Sequence, residues 1–244
     1  MNPPKEILMN NVIESGQIRK YWKSSSKELA YDLMLLDESY LIKMMNLQEI
    51  IVQNLSDPEL FHADSIHFIR DHIHKRGRII GVISEKRLIA YRIVAFPGND
   101  HDNLGIDLKL PKAELAKVAH LDSFVVHPDY RGNLLQFKTL GPAVRIIRDL
   151  NCDHLCATVS PKNYPGVSNL LKGGLVIKEL KEKYGGKLRY ILYQNLKQSI
   201  NRDIEHKIAV INTDREEQEK VLMQGYYGYK ARKKAEGFEI LYGK

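Results

Sequence analysis

The chain has 244 residues, of which 43% are hydrophobic and 27% are charged. These fractions exclude intrinsic disorder, collagen-like repeats and low complexity, and the length is enough for one large domain with its own core. No apolar run approaches the roughly 20 residues that a membrane span needs, and no secretory signal is visible at the N-terminus. We therefore expect a globular protein without a membrane-spanning segment.

The net charge and the cysteine content indicate which binding partners and which cellular location to expect. The chain has 37 Lys and Arg residues against 30 Asp and Glu residues, a net charge of +7. That excess favours an anionic partner, such as nucleic acid, an acidic surface or a phosphate-bearing cofactor. Cys152 and Cys156 are too few for a disulfide framework, so a reducing cytoplasm is the simplest location and packing the simplest role for both.

The N-terminal third predicts extended segments followed by two helices. Three short segments favour extended structure: residues 12–13, 18–22 and 31–36. Apolar residues between 40 and 55 then recur at spacings of three and four, which is typical of an amphipathic helix. A capping-box pattern at residues 56–59 predicts a second helix over residues 58–74.

The middle of the chain predicts two β-hairpins with strand–helix units between them. A hairpin over residues 78–84 and 87–96 precedes a long polar loop at 98–116. The remaining predicted elements, in chain order, are a strand at 119–126, a helix at 134–150 kinked by Pro142, a strand at 154–159, a helix at 165–172 and a hairpin of strands 175–182 and 188–196. This order predicts an α+β fold with mostly antiparallel strands rather than a doubly wound fold.

Residues 197–244 predict a separate small extension. A strand at 208–211, a helix at 214–223 and a terminal strand at 238–242 are expected. A piece this short cannot bury a core of its own. We therefore expect it to dock on the main domain or on a second subunit.

The strongest chemical pattern lies at residues 125–136. A strand there leads through a tight basic turn, which contains Arg131 and Gly132, into the start of a helix. The first backbone N–H groups of a helix are free and its dipole is positive there, so this junction can bind a pyrophosphate. Gly132 lets a ligand approach the backbone closely.

This segment resembles the GNAT superfamily of acyl-CoA-dependent N-acyltransferases. Five residues match the family's V-x-P-x-Y-R-G pattern at the end of its fourth strand: Val126, Pro128, Tyr130, Arg131 and Gly132. Arg131 also begins the family's pyrophosphate signature, Arg/Gln-x-x-Gly-x-Gly/Ala. Leu134 and Gln136 replace the two small residues of that signature, and their side chains could crowd the phosphates.

The resemblance implies a fold and a division of the chain. A GNAT-like domain is expected over residues 29–196, with a mostly antiparallel central sheet and helices on both faces. Residues 1–28 would form an extended N-terminal segment. Residues 197–244 would form a small C-terminal α/β extension docked on the main domain.

The resemblance also implies a reaction and a cofactor site. Acetyl-CoA or another acyl-CoA is the expected co-substrate, and the amine of a small molecule or peptide attacks its thioester directly in a ternary complex. Asn163 stands where the family often has an Asn that contacts the pantetheine arm. The expected cofactor-binding residues are Phe124, Val125, Val126, Arg131, Gly132, Asn133, Leu134, Leu135, Gln136 and Asn163.

Proton transfer in that reaction has two candidate residues. Asp122, on the strand before the turn, is the candidate acceptor of the amine proton, although it could also be an ordinary polar strand residue. The family's thiol-protonating Tyr falls on Leu170 here, which leaves Tyr164 as the candidate acid. Where the acid is missing, water can protonate a thiolate, because a free thiol has a pKa of about 8.5.

Other interpretations stay open. Leu134, Gln136 and Leu170 favour a non-catalytic GNAT-like module that binds an acyl-CoA or another metabolite. The tyrosines and basic residues at 226–234 could form a nucleic-acid surface, although no nucleic-acid motif accompanies them and a solvated amphipathic element explains them as well. A homodimer is compatible with the sequence. The histidines at 62, 67 and 72 are five residues apart, which does not suit a shared metal ion, so no metal is expected.

Overall fold

The structure is a computed structural model that describes residues 12–22, 25–55, 57, 60–198 and 204–244. The chain divides into two compact units. Unit 1 comprises Met1–Ser56, Ala63–Ala95 and Asp122–Val144, and unit 2 comprises Asp57–His62, Phe96–Leu121 and Arg145–Lys244. Each unit is described by itself below.

The described residues form strands and helices in the proportions of an α+β protein. The strands are β1 Val12–Trp22, β2 Ser25–Leu35, β3 Gly77–Ser84, β4 Arg87–Ala95, β5 Val118–Val126, β6 His154–Val159, β7 Val176–Lys183, β8 Lys187–Asn195, β9 Ile208–Ile211, β10 Tyr227–Lys233 and β11 Phe238–Gly243. The helices are α1 Leu41–Gln53, α2 Ile66–Asp71, α3 Leu104–Asp107, α4 Leu135–Asp149, α5 Tyr164–Lys172 and α6 Arg215–Met223. Strand pairing is mostly antiparallel, as the sequence predicts.

Unit 1 is built on four antiparallel strands in the order β1-β2-β3-β4. Alternate residues of β2, among them Leu29, Tyr31 and Leu33, are buried, which is the pattern of a strand with one solvated face. They pack with residues from β1, β3 and β4 and with Tyr130 and Leu135. The segment that follows β5 is therefore anchored in the core of unit 1 through Tyr130 and Leu135.

Unit 2 contains the strands β5-β6-β8-β7-β10-β11-β9 in that order, with β5 contributing its residues up to 121. The β5–β6 pair is parallel and runs from Val118 opposite His154 to Leu121 opposite Ala157. The pairs from β6 to β9 along this order are antiparallel. The C-terminal residues thus continue the strand order beyond β7.

Two predicted elements differ from the structure in the first half of the chain. The helix expected over residues 58–74 begins at Ile66, where the Ser65 side chain accepts a hydrogen bond from the Phe68 N–H, and continues as a π-helical turn to Arg76. Residues 56, 58 and 59 of the capping-box pattern lie outside the described residues. The expected polar loop at 98–116 contains α3, which is capped by Asn103, and a 3-10 turn.

Strand β10 was not predicted, because its sequence alternates tyrosines and basic residues. The structure pairs it with β7 at Gly228 opposite Ile177 and with β11 along most of its length. The faces of Tyr226 and Tyr227 are covered by lysine ammonium groups, Lys244 and Lys178 respectively. These two rings are therefore engaged within the protein.

Three simpler expectations can be compared directly with the structure. Helix α4 runs without a break through Pro142. Both cysteines are buried and unbridged, and burial raises the pKa of Cys152 to about 11 and that of Cys156 further. Across the described ranges, every helix is too short or too polar to cross a membrane.

Candidate functional site

The segment between β5 and α4 is held in place at both ends. The His127 N–H donates a hydrogen bond to the Ile89 carbonyl at 2.8 Å, and residues 128–130 form a 3-10 turn. Tyr130 is buried in the core of unit 1, and Leu135, the first residue of α4, packs in the same core. Arg131, Gly132 and Leu134 are exposed between these two anchors.

The backbone of this exposed turn has two residues in the left-handed region. Gly132 has φ +82° and Leu134 has φ +55°, and for a leucine this conformation costs roughly 1–2 kcal/mol. The Leu134 carbonyl accepts the N–H groups of Phe137 and Lys138, so Leu134 is the residue from which the helix starts. Its side chain is 66% exposed. The structure therefore keeps a glycine-like backbone at the position where the family signature has a small residue.

Asn133 uses its side chain within the protein. Its Oδ1 accepts the Arg19 N–H at 2.7 Å, and its Nδ2 donates to the Arg19 carbonyl at 2.5 Å and to the Tyr130 carbonyl at 2.9 Å. The amide thus joins the turn to the outer edge of β1. Both N–H donors of the Asn133 side chain are therefore used within the protein, so we expect an anionic ligand to be bound by the backbone N–H of this residue.

A buried cation lies beneath the start of α4. Arg92, on β4, is 2% exposed, and its guanidinium donates to the Gln136 carbonyl at 2.9 Å and to Thr139 Oγ1 at 3.0 Å while it covers the Phe124 ring. Burial lowers its pKa to about 9. Because a helix start is already positive, a second positive charge there favours an anion nearby. The sequence did not single out Arg92.

A second feature that the sequence missed is a cluster around Asp64. Burial raises the pKa of its carboxyl to about 6, and the nearby Ser123 on β5 acts on this pKa in the opposite direction. Among the described residues, neither Asp64 Oδ2 nor the Tyr91 hydroxyl has a hydrogen-bond partner, and both atoms are fully enclosed. We call Asp64, Tyr91 and Ser123 the Asp64 cluster.

The remaining predicted residues of β5 have different surroundings. Asp122 is exposed, whereas Ser123 and Phe124 are half-buried. Val125 is buried, and Val126 packs at the margin of the core of unit 1. Phe124, Val125 and Val126 thus belong to the packed part of unit 1.

The predicted residues of α5 belong to unit 2. Asn163 caps this helix, since its Oδ1 accepts the Gly166 N–H at 2.9 Å. The Tyr164 ring packs against Phe238 of β11, with ring centroids 5.2 Å apart. Leu170, at the position of the family's Tyr, is a buried residue.

The predicted absence of a metal site can be compared with the histidine contacts. His72 hydrogen-bonds the Phe68 carbonyl at 2.8 Å, and His74 pairs with Glu38 at 2.8 Å. No group of three or more His, Cys, Asp or Glu side chains within the described residues is arranged to hold a metal ion.

No family model and no curated protein sequence matches this chain. Solved structures do match in fold. A protein from Salmonella typhimurium described as an acetyltransferase, and solved with its cofactor acetyl-CoA, is 13% identical with a TM-score of 0.53, covering 71% of this chain and 98% of its own. One from Acinetobacter baylyi, also described as an acetyltransferase, is 13% identical with a TM-score of 0.53, covering 75% and 99%.

A third match is the GNAT domain of S. lividans PAT, at 14% identity and a TM-score of 0.50, with 68% of this chain and 91% of that domain covered. Sequence identities this low establish the architecture alone. The element order of residues 25–195, the turn after β5 and these three structures agree with one another. The chain has the fold of the GNAT acetyltransferases.

Proposed function

We propose that this protein transfers an acyl group, with acetyl as the first candidate, from acyl-CoA to an amine. In this proposal the acyl-CoA pyrophosphate binds the backbone N–H groups at the turn of residues 131–136. The amine of a small molecule or peptide attacks the thioester directly, and the N–H groups near Val125 and Val126 polarise its carbonyl. The two buried, unbridged cysteines are in keeping with a reducing cytoplasm as the location.

The observation that carries the proposal is the conformation of the turn. Gly132 and Leu134 both adopt left-handed backbone, and the helix starts directly after them. The start of a helix presents backbone N–H groups and the positive end of its dipole, both of which suit an anion. The buried Arg92 guanidinium adds positive charge below the same helix start. Leu134 thus has a left-handed backbone that glycine also adopts, although its side chain differs from the small residue of the signature.

Several residues enter this proposal on the resemblance alone. Asp122 is the predicted proton acceptor and Tyr164 the predicted thiol acid, while Asn163 is the predicted contact of the pantetheine arm. Asn163 Oδ1 already caps α5, so its Nδ2 is the group that we expect to serve the cofactor. Substitution of each by an isosteric or truncated side chain tests these roles after cofactor binding is measured.

Calorimetry with acetyl-CoA is the first test. We expect binding, and we expect Arg131→Ala to weaken it by about 1.5–3 kcal/mol, the range for hydrogen bonds to charged groups. Arg70→Ala is the matched control, since Arg70 is an exposed arginine on α2 that pairs with Glu38. Absence of binding at millimolar acetyl-CoA, or an equal effect of both substitutions, would contradict the proposed site.

A second candidate function is a GNAT-like module that binds acyl-CoA without turnover. The buried Leu170 favours it, because a core leucine occupies the position of the family's acid. An assay of free thiol release over pooled amines separates the two functions. Tight acetyl-CoA binding without thiol release on any amine would identify the module.

A further inference from the structure

We propose that Asp64 and Tyr91 bind the primary amine of the acyl acceptor and that Asp64 takes up the proton that the amine nitrogen loses. The inference rests on the proposed acyl transfer and names residues that the sequence pattern did not identify. It is carried by the geometry of the Asp64 cluster.

The first step is that two polar atoms of the cluster lack partners. Asp64 Oδ2 and the Tyr91 hydroxyl are enclosed, and neither is hydrogen-bonded within the described part of the chain. An enclosed polar atom without a partner costs roughly 1–3 kcal/mol. Burial raises the pKa of Tyr91 and the Asp64 charge raises it further, so the two groups lie within electrostatic range of each other. One ligand with two donors could satisfy both atoms.

The second step is that the protein fixes the position of this carboxylate. The side chain of Gln48, on α1, is 2% exposed and is hydrogen-bonded twice to the Asp64 backbone. Its Oε1 accepts the Asp64 N–H at 2.7 Å, and its Nε2 donates to the Asp64 carbonyl at 3.1 Å. Such pre-organisation is typical of a group that must meet a reacting atom.

The third step is the position of the cluster along β5. Asp64 lies near Ser123, which precedes Val125 by two residues. Strand residues advance by about 3.3 Å each, so the carboxylate lies within about 7 Å, along the strand, of the N–H groups proposed to polarise the thioester. Ala63 and Ser65 on either side of Asp64 are exposed, so the segment that carries Asp64 lies at the protein surface.

The fourth step is the chemistry of the ligand. A primary ammonium carries three N–H donors, so it can donate to Asp64 Oδ2 and to the Tyr91 hydroxyl oxygen at once, and its charge compensates the enclosed carboxylate. An anionic group could accept from the Tyr91 O–H but would repel the Asp64 carboxylate, and a purely apolar group would satisfy neither atom. The groups that face Asp64 are Gln48 from α1, Tyr91 from β4 and Ser123 from β5, and Tyr91 is the titratable member.

The reaction step then balances without a further co-reactant. Bound as an ammonium, the nitrogen first gives one proton to Asp64 Oδ2, which frees its lone pair, and Asp64 later releases this proton to solvent. The nitrogen then forms a bond to the thioester carbonyl carbon, the carbon–sulfur bond breaks, and the departing thiolate takes up the second proton that the nitrogen loses. The products are an amide and free CoA thiol.

Titration of the carboxylate tests amine binding without turnover. In full-length protein labelled with ¹³C at aspartate carboxyls, Asp64→Asn identifies the Asp64 resonance. We expect n-propylammonium to lower the Asp64 pKa and Tyr91→Phe to weaken that response. Tetramethylammonium, which has the charge but no N–H donor, should leave it unchanged. An Asp64 resonance that ignores n-propylammonium, or responds equally to both cations, would overturn the inference.

Kinetics supply a second readout. With any amine that the wild-type protein acylates, Asp64→Asn should lower kcat by about 10²–10⁴-fold and remove the acidic limb of the pH profile, while acetyl-CoA affinity is unchanged. Asp71→Asn, an aspartate on α2, is the matched control. Full activity of Asp64→Asn together with loss of activity in Asp122→Asn would assign the base to Asp122 and overturn the inference.

The two proposals fail in different ways. If acetyl-CoA does not bind but n-propylammonium shifts the Asp64 pKa, then the acyl-transfer function fails while the amine site stands. If acetyl-CoA binds and amines are acylated without any dependence on Asp64, the function stands and the amine site fails.

Discussion

Leu134 replaces a small residue of the family signature, and its backbone lies in the left-handed region that glycine adopts most readily. A leucine in the left-handed region costs roughly 1–2 kcal/mol, whereas glycine adopts it freely but loses about 0.5–1 kcal/mol of backbone entropy on folding. We therefore expect Leu134→Gly to raise the free energy of unfolding by about 0.5–1 kcal/mol, measured by urea denaturation.

The matched control for this prediction is Leu134→Ala. It removes the same exposed side chain but keeps the strained backbone, so it should not stabilise the protein. Equal stability of the glycine and alanine variants would show that the left-handed conformation carries no cost at this position.

Asp64 gives a prediction about stability and pH. Its pKa rises from 3.8 to about 6 in the folded protein, so the folded state binds this proton more tightly than the unfolded state. Stability from this group is therefore full below about pH 4 and is lost as pH rises through 6. Asp64→Asn should stabilise the protein at pH 7.5, by up to about 3 kcal/mol for two pKa units, and much less at pH 4.

Thermal unfolding at the two pH values checks this, with Asp71→Asn as the control. If Asp64→Asn destabilises the protein at pH 7.5, the carboxylate has a native partner and the Asp64 cluster is structural. A gain in stability together with a loss of turnover would be the trade-off that is typical of functional sites.

At the scale of elements, the contact between β1 and the turn after β5 depends on one amide. Asn133→Ala removes both hydrogen bonds to Arg19 and the one to the Tyr130 carbonyl. We expect a loss of about 1–2 kcal/mol of stability and faster hydrogen exchange of the Arg19 N–H, measured by NMR.

Asn133→Asp separates the two halves of this contact. The carboxylate still accepts the Arg19 N–H but cannot donate to either carbonyl, so protection of the Arg19 N–H should persist while stability falls. Equal exchange at Arg19 in the wild type and in Asn133→Ala would mean that the contact does not hold β1.

Local patterns predict most elements but not all of them. The periodicity of apolar residues identifies α1, and two apolar, β-rich runs separated by Glu85 and Lys86 identify the β3–β4 hairpin, because each signal is local in the sequence. Strand β10 is not predicted, because its tyrosines and basic residues are also typical of a solvated surface. The start of α2 is predicted too early, because the capping-box pattern at residues 56–59 precedes Ser65, the residue that caps this helix in the structure.

The residues of the candidate site also fall into two groups, those that sequence patterns identify and those that only the structure identifies. The turn at 131–136 belongs to the first group because its residues are contiguous in the sequence. Asp64, Arg92 and Asn133 acquire their roles from partners far along the chain, respectively Ser123, Gln136 and Arg19. No sequence spacing marks such pairs, so only the folded structure brings them out.

At the scale of the whole molecule, the C-terminal residues form part of unit 2. Gln218 of α6 accepts hydrogen bonds from the hydroxyls of Tyr190 on β8 and Tyr242 on β11, and it donates to the Asn212 carbonyl at 3.1 Å. Both tyrosines are fully buried. This network joins α6 and β11 to a strand of the GNAT-like region.

Gln218→Leu should therefore destabilise the protein by about 1–3 kcal/mol, because the two buried hydroxyls, which also interact with each other, lose the acceptor that they share. Urea denaturation measures the loss. The triple variant with Tyr190→Phe and Tyr242→Phe removes both orphaned hydroxyls and should recover part of it. A single substitution without effect would indicate that residues 204–244 contribute little to the stability of unit 2.

The Asn133 amide also has a consequence for self-association. A strand such as β1, when it lies at the edge of a sheet, offers its N–H and carbonyl groups to strands of other molecules and so invites aggregation. Here Asn133 occupies the outward groups of Arg19, and Lys138 Nζ reaches the Gln17 carbonyl at 3.5 Å. The turn proposed to hold the cofactor thus blocks strand addition along the middle of β1. Asn133→Ala, which frees the N–H and carbonyl of Arg19, should therefore make the protein more prone to aggregate.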